Sequence, residues 1–285
     1  PAGGLLWVLS RRSGAWKPYP GYPSSIPGQT VWSTPAVGDL DGDGNLDIVV
    51  GTGNNFAVSA ASQRLYAFTA RTAKPLRGWP VTTQGQVSNG PAIVDLDKDG
   101  RNEVAFASEG PRVGVRNRTG TARWTACAKT SGACAPSGGT HGAPAVADLD
   151  GDGIQEVIAA LDRDLVVYDG RTGAVKAKVT FAPGGTIASS GTPTVASVNG
   201  KATIVVMATV KAAGGGPPTA GDTQRVFVLT TDRPLGAAAW PVFERLFGEH
   251  GLPDRFRSDN GPPFASSGVT GLTPLTVRFV KLGIA

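Results

Sequence analysis

Three stretches of the sequence share one acidic pattern, which reads DLDGDGNLD at residues 39–47, DLDKDGRNE at 95–103 and DLDGDGIQE at 148–156. Small residues and a short apolar segment precede each stretch, and a second apolar segment follows it. The first aspartates of the three stretches, 56 and 53 residues apart, are Asp39, Asp95 and Asp148. A fourth copy, SSGTPTVASVNGKATIVVMAT at 189–209, keeps the apolar segments without the carboxylates. Self-similarity at this period indicates a repeat protein.

A second repeated unit lies between the acidic copies. It has the pattern of an aromatic-rich strand, a polar turn with Gly or Pro, and a returning strand. Its copies are RLYAFTARTAKPLRGWPV at 64–81, LVVYDGRTGAVKAKVT at 165–180 and RVFVLTTDRPLGAAAWPV at 225–242. Each period therefore holds about four short strands, which is the content of one β-propeller blade. The sequence predicts an all-β propeller of four full blades within residues 1–242.

The segment LLWVLSRRSGAWKPYPGYP at 5–23 is the same unit without an acidic partner, and it predicts a half blade. A blade buries its faces only against neighbouring blades. Because the chain begins part-way through a blade, we expect a truncated propeller. A strained four-blade ring, an open arc and a piece of a larger propeller all fit this pattern.

The acidic stretches have the composition of calcium loops. Positions 1, 3, 5 and 9 carry oxygen side chains, position 7 can offer its backbone carbonyl, and a glycine at position 6 permits the tight turn. Six to eight oxygen ligands at flexible geometry suit calcium better than magnesium or zinc. The candidate ligands are Asp39, Asp41, Asp43, Asn45 and Asp47 in the first loop, Asp95, Asp97, Asp99, Arg101 and Glu103 in the second, and Asp148, Asp150, Asp152, Ile154 and Glu156 in the third.

The alternative to a metal site is a solvated acidic turn, since Asp-Gly pairs are common in hairpins. Four acids within nine residues repel one another strongly without a cation, and three such loops at blade spacing favour calcium. The closing acid at position 9 and the flanking strands distinguish these loops from an EF-hand. The fourth copy has Ser197 and Asn199 at these positions, so we expect it to bind no metal.

These residues resemble the FG-GAP or VCBS-type repeat of integrin-like β-propellers, in which DxDxDGxxD hairpin loops hold calcium. The resemblance covers about residues 5–242. It implies a non-catalytic calcium-binding module, secreted or on the cell surface and often bacterial, that binds an extracellular protein or glycan ligand. Calcium in that family is structural. The sequence starts at Pro1 without a charged-then-apolar signal segment, which is typical of a processed protein or a fragment.

Composition argues against several functional classes. The 40 Gly and 22 Pro of this chain do not suit a coiled coil or helical bundle. No run approaches 18 apolar residues, so we expect no membrane span. The net charge of +5 is compatible with nucleic-acid binding. However, the basic residues are scattered, and such a partner is not expected. Without a Gly-x-Ser-x-Gly elbow or a phosphate-binding loop, we expect no enzymatic activity.

The only two cysteines, Cys127 and Cys134, are seven residues apart. A small loop closed by a disulfide fits an extracytoplasmic protein, and two free thiols are the alternative. Zinc is not expected, because His141 is the only nearby histidine and a closed site needs four ligands.

The sequence pattern changes after residue 242. Phe243, Leu246 and Phe247 have helical spacing, and they are followed by RSDNGPPFAS at 257–266 and LGI at 282–284. This segment resembles the catalytic core of integrase-like DDE transposases, whose three carboxylates hold two metal ions. Asp259 matches the second carboxylate, and the other two have no counterpart. We therefore expect 243–285 to be a short α/β remnant without activity, with DNA integration as the alternative function.

Overall fold

The computed structural model describes residues 4–26, 30–53, 63–110, 112–127, 142–161, 164–180, 187–198, 201–211 and 222–230. Regular structure within these ranges consists of β-strands, which confirms the all-β prediction. Over the same ranges, no helix is long and apolar enough to cross a membrane. The predicted segment at 243–285 and the boundary at residue 242 lie outside the described residues.

The N-terminal part forms two small antiparallel pairs. Strand β1 (Gly4–Leu6) pairs with β4 (Ser24–Ile26), and β2 (Leu9–Arg12) forms a hairpin with β3 (Ala15–Pro18). The hairpin turn has two residues with positive φ, Ser13 and Gly14, as a tight two-residue turn requires. The strand–turn–strand unit predicted here is confirmed.

Three sequence periods each form a four-stranded antiparallel sheet in which consecutive strands are neighbours. Sheet I contains β5 (Ala36–Gly38), β6 (Asp47–Gly51), β7 (Arg64–Thr69) and β8 (Val81–Thr82). Sheet II contains β9 (Ala92–Val94), β10 (Glu103–Ser108), β11 (Arg112–Arg116) and β12 (Ala122–Cys127). Sheet III contains β13 (Ala145–Ala147), β14 (Glu156–Leu161), β15 (Asp164–Asp169) and β16 (Val175–Thr180). These sheets have the strand order expected of propeller blades.

The fourth period forms sheet IV, which differs from the other three. Its strands are β17 (Ile187–Ser190), β18 (Thr194–Val198), β19 (Lys201–Val210) and β20 (Thr223–Thr230). The long strand β19 pairs with β20 on one edge, while β18 and β17 share its other edge in succession. The returning strand predicted for this blade falls at 231–242, beyond the described residues.

The second strand of each complete sheet is buried along its whole length, because neighbouring sheets cover both of its faces. Alternate residues therefore pack against different neighbours. In β14, Ile158 contacts sheet IV and Val157 contacts sheet II. In β6, Val49 contacts sheet II and Val50 contacts the N-terminal strands. Full burial of each such side chain stabilises the fold by about 1.5–3 kcal/mol.

Each first strand lies beside the first strand of the next sheet, in the order β5, β9, β13 and β18. The acidic stretches follow β5, β9 and β13, so consecutive acidic loops emerge at the same end of the stacked sheets. Asn102 in the second loop donates its side-chain amide to the backbone oxygen of Asp39 in the first at 2.7 Å. Sheet packing thus positions all three candidate sites.

Candidate metal centres

Each acidic loop connects the first and second strands of a complete sheet. The acid at position 9 is the first residue of the second strand, and these residues are Asp47, Glu103 and Glu156. Because that strand is buried between sheets, all three carboxyl groups are buried as well. The loop is therefore anchored at one end by a carboxylate inside the protein, while its tip is exposed.

The buried acid at position 9 closes the loop through the backbone of position 2. Leu40 N–H donates to Asp47 Oδ2 at 2.9 Å, and Leu149 N–H donates to Glu156 Oε2 at 2.6 Å. The equivalent bond to Glu103 Oε2, from Leu96 N–H, is 3.2 Å long. Burial raises the pKa of each of these three carboxyl groups above its ordinary value. A nearby cation would offset this desolvation of the charged form.

The acid at position 1 organises the loop tip. Asp39 accepts hydrogen bonds from the backbone amides of Gly42 at 2.8 Å and Gly44 at 2.9 Å. Both glycines have positive φ, of 80° and 82°, which explains the glycines at positions 4 and 6. Asp148 makes the same two bonds in the third loop, at 2.7 and 3.0 Å.

The structure brings three carboxylates together in every loop. In each group, one ligand oxygen from each residue lies within 4.8 Å of the other two. The groups are Asp39, Asp41 and Asp43 in the first loop, Asp95, Asp97 and Asp99 in the second, and Asp148, Asp150 and Glu156 in the third. The third loop therefore uses the buried acid at position 9 where the first two use the acid at position 5.

The residues at position 7 are predicted to contribute backbone carbonyls. The described contacts show their amides instead: Asn45, Arg101 and Ile154 each donate N–H to the position-5 carboxylate of the same loop at 2.7–2.9 Å. This bond fixes the chain direction at the loop tip. The carbonyl ligands at position 7 stay a prediction.

Two basic side chains enter the second and third loops, and neither is predicted by the acidic motif. Arg123 of β12 pairs with Asp97 and, at 2.8 Å, with Glu103. Lys176 of β16 extends its Nζ to 2.7 Å from Glu156 and 2.8 Å from Asp150. Each comes from the fourth strand of its own sheet, 20 residues beyond position 9. The equal spacing of Arg123 and Lys176 from their acidic stretches is the one sequence feature that relates these bases to the loops.

One carboxylate oxygen in the second loop has no hydrogen-bond partner. Asp97 Oδ1 is buried, and the side chain of Asp97 is only 10% exposed. A buried carboxylate oxygen without a partner carries a large desolvation cost, which a bound cation would remove. Together with the converging oxygens, this atom makes the donor set suited to a hard cation such as calcium.

The remaining predicted positions are partly described. In the fourth copy, Val198 of β18 pairs directly with Lys201 of β19, so only residues 199 and 200 separate the strands. Cys127, the last residue of β12, is disulfide-bonded as predicted. Cys134, His141 and Asp259 lie outside the described residues.

Comparison with known protein families supports the prediction of a repeat protein. The sequence matches the FG-GAP-like repeat family over residues 1–50 and 95–159. These two segments contain all three acidic loops. With the blade-like sheets, this similarity supports the propeller part of the sequence prediction, and the matched segments do not reach the C-terminal segment. Among curated proteins, none matches the sequence significantly.

Several solved structures resemble this chain at low similarity. BamB from Moraxella catarrhalis is 18% identical with a TM-score of 0.42, over 74% of this chain and 55% of its own. The V. cholerae biofilm matrix protein Bap1 is 22% identical with a TM-score of 0.38, over 74% and 39%. The quinohemoprotein alcohol dehydrogenase ADHIIG from Pseudomonas putida HK5 is 12% identical with a TM-score of 0.47, over 78% and 46%. This chain thus spans about half the length of these proteins or less, and no ligand or activity follows from the likeness.

Proposed function

We propose that this chain is a calcium-stabilised β-propeller module that acts outside the cytoplasm, in adhesion or ligand binding, without catalysis. The observation that carries the proposal is the convergence of three carboxylates in each of three repeated loops. The loops join strands of the framework, so bound calcium would hold each hairpin together. The converging carboxylates of each loop would hold the ion, namely Asp39, Asp41 and Asp43 in the first, Asp95, Asp97 and Asp99 in the second, and Asp148, Asp150 and Glu156 in the third.

The cellular location is inferred from two features. A disulfide at Cys127 fits an oxidising compartment. Similarity to FG-GAP-like repeats, whose resemblance implies an extracellular propeller, points the same way. We therefore infer a secreted or surface-bound protein whose ligand is an extracellular protein or glycan. Absence of catalysis is part of the proposal, because the sequence offers no nucleophile–base motif.

Chelation should lower the melting temperature of the purified chain. Calcium at 100 times its dissociation constant would stabilise the folded state by about 2.7 kcal/mol. Removing it would leave the four acids of the first loop without a paired base. The measurement is a thermal melt with calcium and then with excess chelator. Asp43→Asn, which keeps an oxygen for the Asn45 amide but removes a charge, should reduce the shift.

Asp164→Asn is the matched control for this melt. Asp164 lies at the end of β15 that is away from the acidic loops, where it pairs with Lys178 at 2.8 Å and accepts a hydrogen bond from Thr180. Its variant should keep the full calcium-dependent shift. A melting temperature that is identical with calcium and with chelator would overturn the calcium proposal.

The C-terminal segment is a separate proposal. We infer from the sequence RSDNGPPFAS that 243–285 derives from an integrase-like core, and that these residues alone do not assemble a two-metal site, since only Asp259 among them matches the carboxylate pattern. A metal-dependent DNA strand-transfer assay tests this, and we expect no product. Strand transfer that Asp259→Asn abolishes would make DNA integration the better assignment.

A further inference from the structure

The three acidic loops differ in whether the protein supplies its own cation. In sheet III, the Lys176 ammonium contacts Glu156 at 2.7 Å, Asp150 at 2.8 Å and Asp152 at 3.5 Å. Two of these acids, Asp150 and Glu156, belong to the converging group of that loop. The ammonium therefore occupies the same cluster of oxygens that a metal ion would use.

Sheet II repeats the arrangement with a different base. The Arg123 guanidinium contacts Asp97, a member of the converging group, and the buried Glu103. It leaves Asp97 Oδ1 without a partner, so it satisfies this loop only in part.

Sheet I has an apolar side chain at the equivalent position. The segment between the third and fourth strands contains a residue with positive φ in each of sheets I, II and III, and these residues are Ala73, Gly120 and Gly173. Three residues later stand Leu76, Arg123 and Lys176. Leu76 is buried in the core between sheets I and II, so it cannot neutralise the first loop.

Among the described residues, no ion pair reaches the carboxylates of the first loop. The Arg118 guanidinium donates to the backbone oxygen of Asp41 at 3.3 Å and makes no ion pair with the carboxylates of this loop. This loop contains four acids, one of them the buried Asp47. Its charge is therefore the least compensated of the three.

We infer that Arg123 and Lys176 are built-in counter-ions that compete with calcium, so that the first loop is the strongest calcium site and the third is weak. This inference rests on the proposed function. A bound Ca²⁺ in the third loop must displace the Lys176 ammonium from two carboxylates or lie beside its positive charge. In the first loop no ammonium or guanidinium of the described residues is paired with a carboxylate, because Arg118 contacts only a backbone oxygen there. Calcium affinity is thus graded between the sheets by the side chain that stands three residues after the positive-φ turn residue.

Calorimetric titration of the full chain with Ca²⁺ tests the inference on Lys176→Met, which keeps an unbranched side chain one atom shorter and removes its charge. We expect the third site to bind calcium at least about tenfold more tightly than in the wild type. The chelator-induced fall in melting temperature should also become larger. The single variant Asp43→Asn, which retains Lys176, should lose the strongest binding event and keep the weaker ones.

Lys178→Met is the matched control. Lys178 lies on the same strand with similar exposure and pairs with Asp164 at 2.8 Å, away from the loop. Its variant should leave every calcium affinity unchanged. Arg123→Met provides an independent test in sheet II, with the same direction expected, should Lys176→Met not fold.

Two results would overturn the inference, and they are distinguishable. Three calcium ions bound with equal affinity in the wild type, unchanged in Lys176→Met and Arg123→Met, would leave the proposed function standing and remove the counter-ion role. No calcium binding by the wild type or either variant would overturn the calcium proposal and the competition together.

Discussion

Tyr168 on β15 contains a buried hydroxyl that has no hydrogen-bond partner. Its ring packs against Trp124 of the neighbouring sheet with 5.8 Å between ring centroids. Tyr168→Phe should therefore leave the free energy of unfolding at pH 7 unchanged or raise it by up to about 2 kcal/mol, because an unsatisfied polar group is removed. Denaturant unfolding measures this change. A loss above about 1 kcal/mol would show that the hydroxyl is hydrogen-bonded.

The same residue predicts a pH dependence. Burial raises the pKa of Tyr168 to about 12 from 10.0. The folded state therefore favours the neutral phenol, whose stabilisation is complete below pH 10 and is lost as pH rises towards 12. At pH 11 the free energy of unfolding of Tyr168→Phe should exceed that of the wild type by about 1.4 kcal/mol more than it does at pH 7. Tyr22→Phe, which removes a hydroxyl bonded to the Thr69 carbonyl, is the control and should lose stability at pH 7.

Residue spacing alone predicted the acidic loops, because positions 1 to 9 are local in sequence and the turn requires glycine at fixed places. Lys176 and Arg123 escaped prediction since they reach the loops only through the register of the fourth strand. A basic residue on an exposed strand has no local pattern that shows which carboxylates it meets. The site was thus predictable as a list of acids, and its charge balance required the structure.

Two pairs of neighbouring sheets are joined by the same kind of contact, a hydrogen bond from a tryptophan indole to a backbone carbonyl. The Trp79 indole donates to the Arg118 carbonyl in the β11–β12 turn at 3.1 Å. Trp124 of β12 donates to the Gly170 carbonyl beyond β15 at 2.8 Å. Each bond joins the outer part of one sheet to a turn of the next. Trp7, Trp16 and Trp32 are exposed instead, so aromatic content alone did not identify the tryptophans between sheets.

Gly78 tests this contact between sheets I and II. Its φ is +86°, and a Cβ at this position would meet the backbone oxygen of Thr119. Gly78→Ala should cost about 3 kcal/mol or more, because neither backbone can move without separating the sheets. Gly14→Ala is the control, with φ of +81° and open space around it, and should cost about 1 kcal/mol. Equal costs in denaturant unfolding would mean that the inter-sheet contact is unimportant.

For the whole molecule, the sequence predicts a series of similar sheets, because each period repeats the same strands. The pairing of the additional strand β17 in sheet IV was not predicted. There β19, ten residues long, accommodates both β17 and β18 on one edge, and the pattern of Ile187–Ser190 does not reveal that pairing. Closure of a ring depends on contacts between segments far apart in the chain, which the repeat pattern leaves open. Local periodicity therefore predicts the blades better than their assembly.

Burial across the array predicts an order of amide exchange. Strand β14 is buried along its entire length between two sheets, whereas every residue of β16 in the same sheet is exposed. Opening β14 requires loss of packing on both faces, so its amides should exchange close to the global unfolding limit, and those of β16 should exchange at least about 100-fold faster. Hydrogen exchange of the native chain measures both strands in one experiment. Equal protection would show that another part of the chain or a second molecule covers β16, and the stacked sheets would then be stabilised by contacts beyond those between neighbours.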